Sequence, residues 1–309
     1  MGEHVIVGAG QVGGLLAELL ADRGHEVVVV TRSGSGPDRP GVRRVAADAA
    51  DAAAMRRIAV KADALYNCAN PAYHRWAQDW PPIAAALLAA AEDSGAVLVT
   101  LSNLYGYGPV DGPITEDLPL AATGTKGRVR ARMWEEARAA HLAGRVRVTE
   151  VRASDFFGPH ASDRSYLGAR FVGPLLAGRP ATIVNDPDVP HSWTYLPDVA
   201  RALAAVAADE RAWGGAWHVP SNPPITTREF AERLCVLAGA PAPRLRRIPG
   251  WAVKAAGLFV PFLRELEEIR YQFDRPFVLD ASATEAALGL APTPLDDALR
   301  ETIAWWRGR

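Results

Sequence analysis

Over the first half of the chain, short continuous apolar runs alternate with segments of helical periodicity. His4-Val5-Ile6-Val7 reads as a buried strand, and Gln11 to Arg23 as a helix whose Leu15, Leu16, Leu19 and Leu20 form one stripe that Gly24 ends. Further strands are predicted at Val27 to Val30, Val42 to Val45, Ala64 to Asn67, Ala96 to Leu101 and Val146 to Val151. Helices are expected between them, at Asp51 to Val60, Pro82 to Ser94 and Lys126 to Ala143. Runs that are apolar throughout, not at every second position, indicate strands covered on both faces. The pattern therefore predicts an α/β fold with a doubly wound parallel sheet.

After Arg152 the character changes. Gly158-Pro159, Gly173-Pro174, Gly178-Arg179-Pro180, Asp186-Pro187 and Pro190 break any long element. Pro197 to Asp209 reads as a helix opened by proline, Ala216 to Val219 as one more strand, and the rest as helices ending in Pro294 to Trp306. We expect a sheet domain of residues 1–158 plus about 192–219. A smaller, mainly helical substrate-binding cap is expected from about 159–191 and 220–309, with a cleft between the two.

Composition narrows the choice of partner. With 34 basic and 35 acidic side chains the formal charge is −1, which gives no electrostatic footprint for nucleic acid. Cys68 and Cys235 stand far apart, with no metal-ligand spacing, so no metal is expected and a reducing, cytoplasmic setting fits. The longest strictly apolar run, Ile83 to Ala91, is far short of the ~20 residues of a membrane span. The chain also enters strand-like sequence directly, so a soluble protein away from membranes is expected. Of the 34 cations only three are lysines, Lys61, Lys126 and Lys254, which marks each as a place where a compact ammonium was retained.

Gly8-Ala9-Gly10-Gln11-Val12-Gly13 is a G-x-G-x-x-G that follows a strand and opens a helix. In that context the first glycine makes the tight turn, the second admits a pyrophosphate to the helix N-terminus, and the third lets helix and strand approach. The sheet is therefore expected to be of the Rossmann type. The second strand ends Thr31-Arg32, with no acid before Asp38. A cation there accepts a 2′-phosphate where an acid would bind a ribose hydroxyl, which favours NADP and leaves NAD open. Asp48 has two readings, a bond to the adenine amino group or a cap on the helix near Asp51.

Further along, the chain resembles the extended short-chain dehydrogenase/reductase family, which contains the NAD-dependent sugar-nucleotide epimerases and dehydratases. Arg152-Ala153-Ser154-Asp155-Phe156-Phe157-Gly158-Pro159 is similar to that family's Arg-x-x-x-x-(Tyr/Phe)-Gly-Pro segment. His191-Ser192-Trp193-Thr194-Tyr195-Leu196-Pro197-Asp198-Val199-Ala200 is similar to its Arg-Asp-Phe-x-Tyr-Val-x-Asp-Val-Ala signature. Trp217-His218-Val219-Pro220 and the closing Leu288-Gly289-Leu290 with Trp305-Trp306 extend the likeness to roughly residues 4 to 307. The resemblance implies a cofactor set of Gly8, Gly10, Gln11, Val12, Gly13, Thr31, Arg32, Asp48, Cys68, Ala69 and Lys126. The candidate substrate wall is His74, Trp76, Tyr107, Asp155, Phe157, His191, Trp193 and Tyr195, of which His74 and Trp76 come from an aromatic run where the chain departs from the family.

The family works with a serine or threonine after the fifth strand and a Tyr-x-x-x-Lys on the next helix, where the lysine lowers the tyrosine pKa. Lys126 stands at the lysine's place, but four residues earlier the chain has Ala122. Ser102 precedes Tyr105 and Tyr107 in the loop after the fifth strand, and either phenol is a candidate for the missing one. The expected catalytic set is Lys126, Tyr105 and Ser102. The aromatic run of Tyr73-His74-Arg75-Trp76 and Trp80 suits the wall of an apolar or ring-shaped ligand and equally a small satellite core. A nucleotide-sugar site needs cations for a diphosphate, yet His191 replaces the signature arginine, leaving Arg270 and Arg275 as substitutes.

Three functions follow. The first is an NADP(H)-dependent oxidoreductase acting on a carbonyl, imine or activated double bond of a small, partly apolar molecule. The second is a sugar-nucleotide epimerase or dehydratase, and the third an NADP-binding regulator without chemistry. A homodimer through the helices of Pro82 to Ser94 and Lys126 to Ala143 is expected by the same resemblance.

Overall fold

The structure, a computed structural model, describes residues 2–163, 165–184, 186–249, 265 and 267–308. Lys254 and the rest of the 250–264 stretch of the expected cap lie outside them. Six strands and four helices alternate through the first half. They are β1 (Glu3–Val7), α1 (Gln11–Asp22), β2 (Glu26–Thr31), β3 (Val42–Ala46), α2 (Ala52–Ala59), β4 (Ala62–Asn67), α3 (Trp76–Ser94), β5 (Val97–Asn103), α4 (Thr125–Leu142) and β6 (Arg147–Ala153).

Side-chain alternation along these strands feeds two cores. Ile6, Val27, Val29 and Tyr66 meet Leu16 and Leu20 of α1 on one face. Val5, Val7, Val28 and Leu65 meet Met55 of α2 and Leu87 of α3 on the other. Burial on both faces explains the unbroken valine run of β2, while β3, with Arg43 and Arg44 exposed, is the edge. One boundary differs from the sequence expectation. α3 starts at Trp76, six residues before Pro82, and carries Pro81 and Pro82 inside it. Trp76 and Trp80, 2 % and 0 % exposed, share one helix face, and their burial outweighs the breaking tendency of the prolines.

The second half returns to the sheet and builds a cap. β7 (Asp155–Phe157) and β10 (Trp193–Tyr195) pair in parallel, flanking α5 (Ala169–Leu176), β8 (Ala181–Ile183) and β9 (Pro190–His191). α6 (Leu196–Ala208) then packs on the α1 face through Leu196, Val199 and Leu203, and β11 (Ala216–His218) joins β6. The sheet order is β3-β2-β1-β4-β5-β6-β11, with every pairing parallel. That is the doubly wound Rossmann arrangement, with its crevice at the carboxyl ends where the order reverses between β1 and β4.

The remaining elements are β12 (Ile225–Thr226), α7 (Thr227–Ala238), β13 (Leu245–Arg247), α8 (Tyr271–Asp274), α9 (Ser282–Leu288) and α10 (Leu295–Arg307). A third core under them joins Phe157, Phe171, Trp193, Phe230 and Leu299. Among the described residues no helix is long and apolar enough to cross a membrane. On the two helices expected to form a dimer face, Leu87 and Met133 are buried within the chain itself.

Candidate active site

At the end of β1 the chain makes a turn that only glycines allow. Gly8 has φ +101°, and a Cβ there would lie 2.6 Å from the Cys68 carbonyl oxygen; one on Gly13 would lie 1.9 Å from the Gly8 oxygen. At Gly10 a Cβ would meet nothing within 4 Å. Two glycines thus serve the turn and its contact with α1, and the third leaves room outside it. Gly10 caps α1 without a side-chain bond, so no cap side chain occupies the first-turn amides at the positive end of the helix. The residues present fit a dinucleotide pyrophosphate.

Around the turn, Val12 is buried, and the Cys68 amide donates to the Val7 oxygen at 2.9 Å. Burial pushes the Cys68 thiol up to about 12, so it offers no reactive sulfur, and the Ala69 amide is held by Asn67 at 3.3 Å. Gln11 turns toward the cap. Its Oε1 accepts the Ser162 amide at 2.8 Å and the Ser165 hydroxyl at 2.6 Å, tying the loop after β7 to the glycine turn. At the end of β2, Thr31 donates to the Ser35 carbonyl at 2.9 Å and shapes the loop. Arg32 is exposed there and makes no ion pair among the described residues, whereas Arg44 pairs with Asp38 at 3.1 Å. Asp51 caps α2 through the Ala54 amide at 3.0 Å, and the exposed Asp48 closes a tight turn on Ala50.

A second cluster gathers at the carboxyl ends of β4 and β5. Lys126, in the first turn of α4, is 1 % exposed. Its Nζ donates to Glu265 at 2.5 Å and to Glu268 at 3.1 Å, and its amide donates to Glu268 at 2.6 Å. The α4 N-terminus is therefore capped from the far end of the chain. The same Nζ lies 5.1 Å from the ring centre of Tyr73, whose hydroxyl bonds that of Tyr105. Tyr105 stacks on Trp76 at 6.0 Å, and the Arg130 guanidinium lies 4.7 Å and 4.3 Å from the rings of Trp76 and Trp80. Burial raises both phenols above the ordinary tyrosine range and lowers Arg130 to about 10.

α4 comes this close because of its third residue, Gly127. A Cβ on Gly127 would lie 2.5 Å from the Tyr105 carbonyl oxygen and 2.3 Å from the Ala122 methyl. Ala122, where the sequence departs from Tyr-x-x-x-Lys, is packed against this contact. On the cap side, Asp155 bonds His191 Nε2 at 2.9 Å, while Nδ1 of the same ring faces the Gln272 carbonyl at 3.2 Å.

Residues 4–219 match the NAD dependent epimerase/dehydratase family. The chain belongs to that family. It is an enzyme of this group by descent, and its relatives differ in chemistry. The 2'-dehydrokanamycin reductase of Streptomyces kanamyceticus is 30 % identical over 246 residues, which are 76 % of this chain and 66 % of the relative. The chain thus spans just under two thirds of that relative's length. Solved structures share the fold. A dTDP-glucose 4,6-dehydratase from Bacillus anthracis in complex with NAD has a TM-score of 0.81 at 17 % identity, covering 100 % of this chain and 97 % of that one. A UDP-glucose 4-epimerase from Thermotoga maritima with UDP-glucose has a TM-score of 0.81 at 18 % identity, covering 99 % of each chain.

In this family member the expected site residues fall into three groups. Lys126 and Tyr105 are joined through Tyr73, which contacts both, and Ser102 is buried near the end of β5. Asp155 and His191 meet on the cap side. The others go elsewhere. Tyr107 is 2 % exposed and faces a buried network, accepting from Arg152 at 2.6 Å and bonding His218 Nε2 at 2.7 Å. Phe157, Trp193 and Tyr195 belong to the core under the cap, and Trp76 packs beneath Tyr105 with its indole N–H on the Pro71 carbonyl. His74 points outward from the turn of Tyr73–Arg75. Sequence reasoning missed Tyr73, Arg130, Glu265 and Glu268 as members of the site. Tyr73 had been visible only as one aromatic of a run, and the two glutamates lie some 140 residues from the lysine they bind.

Proposed function

We propose that the protein is an NADP(H)-dependent reductase that transfers hydride to the carbonyl of a small, ring-shaped molecule carrying no nucleotide handle. Bound at the glycine turn, the dinucleotide supplies the hydride; Arg32 holds its 2′-phosphate and Lys126 its nicotinamide-side ribose. The observation that carries the substrate reading is the commitment of the cations. His191, at the signature arginine's place, is bound to Asp155; Arg270 pairs with Asp274 at 2.9 Å and with Glu267; Arg275 pairs with Asp111 at 3.2 Å. Arg152 is held by Glu150 at 2.7 Å, and Arg130 lies between two indoles. The buried Arg130, Arg152 and His191 are thus taken up by partners inside the fold, which leaves a diphosphate only the exposed, weakly paired Arg270 and Arg275, and Asp155 would repel it. The 30 % identical relative is a reductase by name, which accords with this reading.

Single-turnover measurements test it. With 2'-dehydrokanamycin and simpler cyclic ketones as probes, NADPH absorbance should fall in proportion to the ketone reduced. UDP-glucose and dTDP-glucose should neither bind in calorimetry nor change the cofactor spectrum. A nucleotide sugar turned over with the cofactor returned unchanged would make the protein an epimerase or dehydratase; silence with every probe would make it a regulator. Cofactor choice is tested separately. NADPH should bind at least tenfold tighter than NADH, about 1.4 kcal/mol, and Arg32→Ala should remove most of that preference while leaving NADH affinity unchanged.

A further inference from the structure

Reducing a carbonyl requires a proton as well as a hydride, and with Ala122 four residues before Lys126 the donor has to come from another part of the fold. β4, at the crevice, and its neighbour β5 offer a pair. Tyr73 sits in the short turn Tyr73–Arg75 after β4, and Tyr105 in the turn Tyr105–Tyr107 after β5. Because β4 and β5 are adjacent and parallel, both turns emerge at the carboxyl edge, where their hydroxyls bond each other. Tyr105 is the inner member. Its ring stacks on Trp76, its amide is held by Asn103 at 3.1 Å, and α4 presses on its carbonyl through Gly127. Tyr73 is the outer member, bordered by the Lys126 ammonium.

Resting on the reductase reading above, we propose that Tyr73 gives its proton to the substrate oxygen and that Tyr105 is the positioning residue behind it, the two phenols acting as one hydrogen-bonded acid. The step balances. The carbonyl carbon gains a C–H bond from the dihydronicotinamide hydride as the C=O π bond breaks, and the oxygen gains the Tyr73 proton. The cofactor is oxidised, the carbonyl is reduced, and the tyrosinate left on Tyr73 recovers a proton from solvent. That tyrosinate accepts the Tyr105 O–H and carries the Lys126 ammonium over its ring, with the Arg130 guanidinium one aromatic layer below Tyr105. Facing the pair from the other elements are Asp155 on β7, Glu268 beside Lys126, and Tyr271 on α8. These negative and neutral groups, with burial, keep both phenols protonated through neutral pH, the state a donor needs. Glu265 and Glu268 hold the lysine in place beside Tyr73.

Tyr73→Phe and Tyr105→Phe test the assignment with two readouts. In single-turnover reduction, Tyr73→Phe should slow the hydride step by ~10²-fold or more, Tyr105→Phe by about tenfold, and both should bind NADPH as the wild type does. A wild-type rate in Tyr73→Phe, with the wild-type enzyme active, overturns the proposal and leaves the reductase reading intact. The second readout needs no turnover. In protein labelled with carbon-13 at the tyrosine ζ position, each Phe variant should remove its own resonance and shift that of its partner, while Tyr107→Phe moves neither. If no ketone is reduced by the wild type, the reductase reading fails. The acid pair then stands only if these resonances remain coupled, and a Tyr73 signal unmoved by Tyr105→Phe overturns it.

Discussion

The glycine turn after β1 and the phenol–lysine cluster after β4 and β5 lie on the same edge of one parallel sheet, yet they are built by opposite means. The turn is made of backbone. Its three glycines fall within six consecutive residues, and what matters at each is the side chain it lacks. The cluster is made of side chains from distant places, Tyr73, Tyr105, Lys126, Glu265 and Glu268, held by aromatic stacking and charge. The turn tolerates no added atom at Gly8 or Gly13 and carries no titratable group. The cluster tolerates isosteric change but depends on protonation. On the proposed function, cofactor binding would rest on shape, and substrate choice and reaction on chemistry held in place.

Substitutions at the turn should have the largest effects, and they should divide by position. Gly13→Ala places a methyl where the Gly8 oxygen is, so we expect either no folded protein or NADPH affinity reduced more than ~10²-fold. Gly10→Ala has open space in the protein alone, so its melting temperature should stay near wild type while NADPH affinity falls. Thermal melts with calorimetry on both variants check this. Equal loss of fold in the two would mean that Gly10 serves the turn and not the ligand.

Lys126 comes next. Lys126→Ala should weaken NADPH binding by roughly 1 to 3 kcal/mol if its ammonium donates charge-assisted bonds to the ribose, as calorimetry would show. Unchanged affinity would assign the lysine wholly to Glu265, Glu268 and Tyr73, and separate the cluster from the cofactor altogether.

The smallest effect concerns alkaline pH. Burial raises the Tyr73 and Tyr105 pKa in the folded state above the ordinary value of 10. Between the two values the unfolded chain has lost protons that the folded chain keeps, so this contribution is full below pH 10 and is lost as pH rises further. The melting temperature should therefore drop above pH 10, and the Tyr73→Phe, Tyr105→Phe double variant should drop less steeply. Tyr66 and Tyr195 are raised by burial too, so part of the slope remains. A double variant with the wild-type slope would show that the pair is not held neutral by burial.

Legibility in the sequence followed the same division. The strand and helix pattern, the glycine turn, the exposed Arg32 and the place of Lys126 were all readable, because each depends on local periodicity or on a few neighbouring residues. The start of α3 was not, since Pro82 is the stronger local signal and only the packing of Trp76 and Trp80 overrules it. Tyr107 illustrates the converse. It lies two residues from Tyr105 in the same turn, and nothing in the sequence distinguishes them. In the fold one ring reaches Tyr73, while the other is buried on Arg152 and His218.

By itself the sequence determined a doubly wound parallel sheet with a dinucleotide turn and a lysine at the head of the helix after β5. Apolar periodicity and glycine stereochemistry act over a few residues and leave a direct trace in their order. Tertiary structure alone decided that Tyr73 meets Tyr105, that Glu265 and Glu268 hold Lys126, and that His191 spends itself on Asp155. Those contacts join strands, loops and cap segments across 32 to 142 positions. A side chain's partner at that range is set by where the backbone carries it, and no pattern of neighbouring residues records the destination.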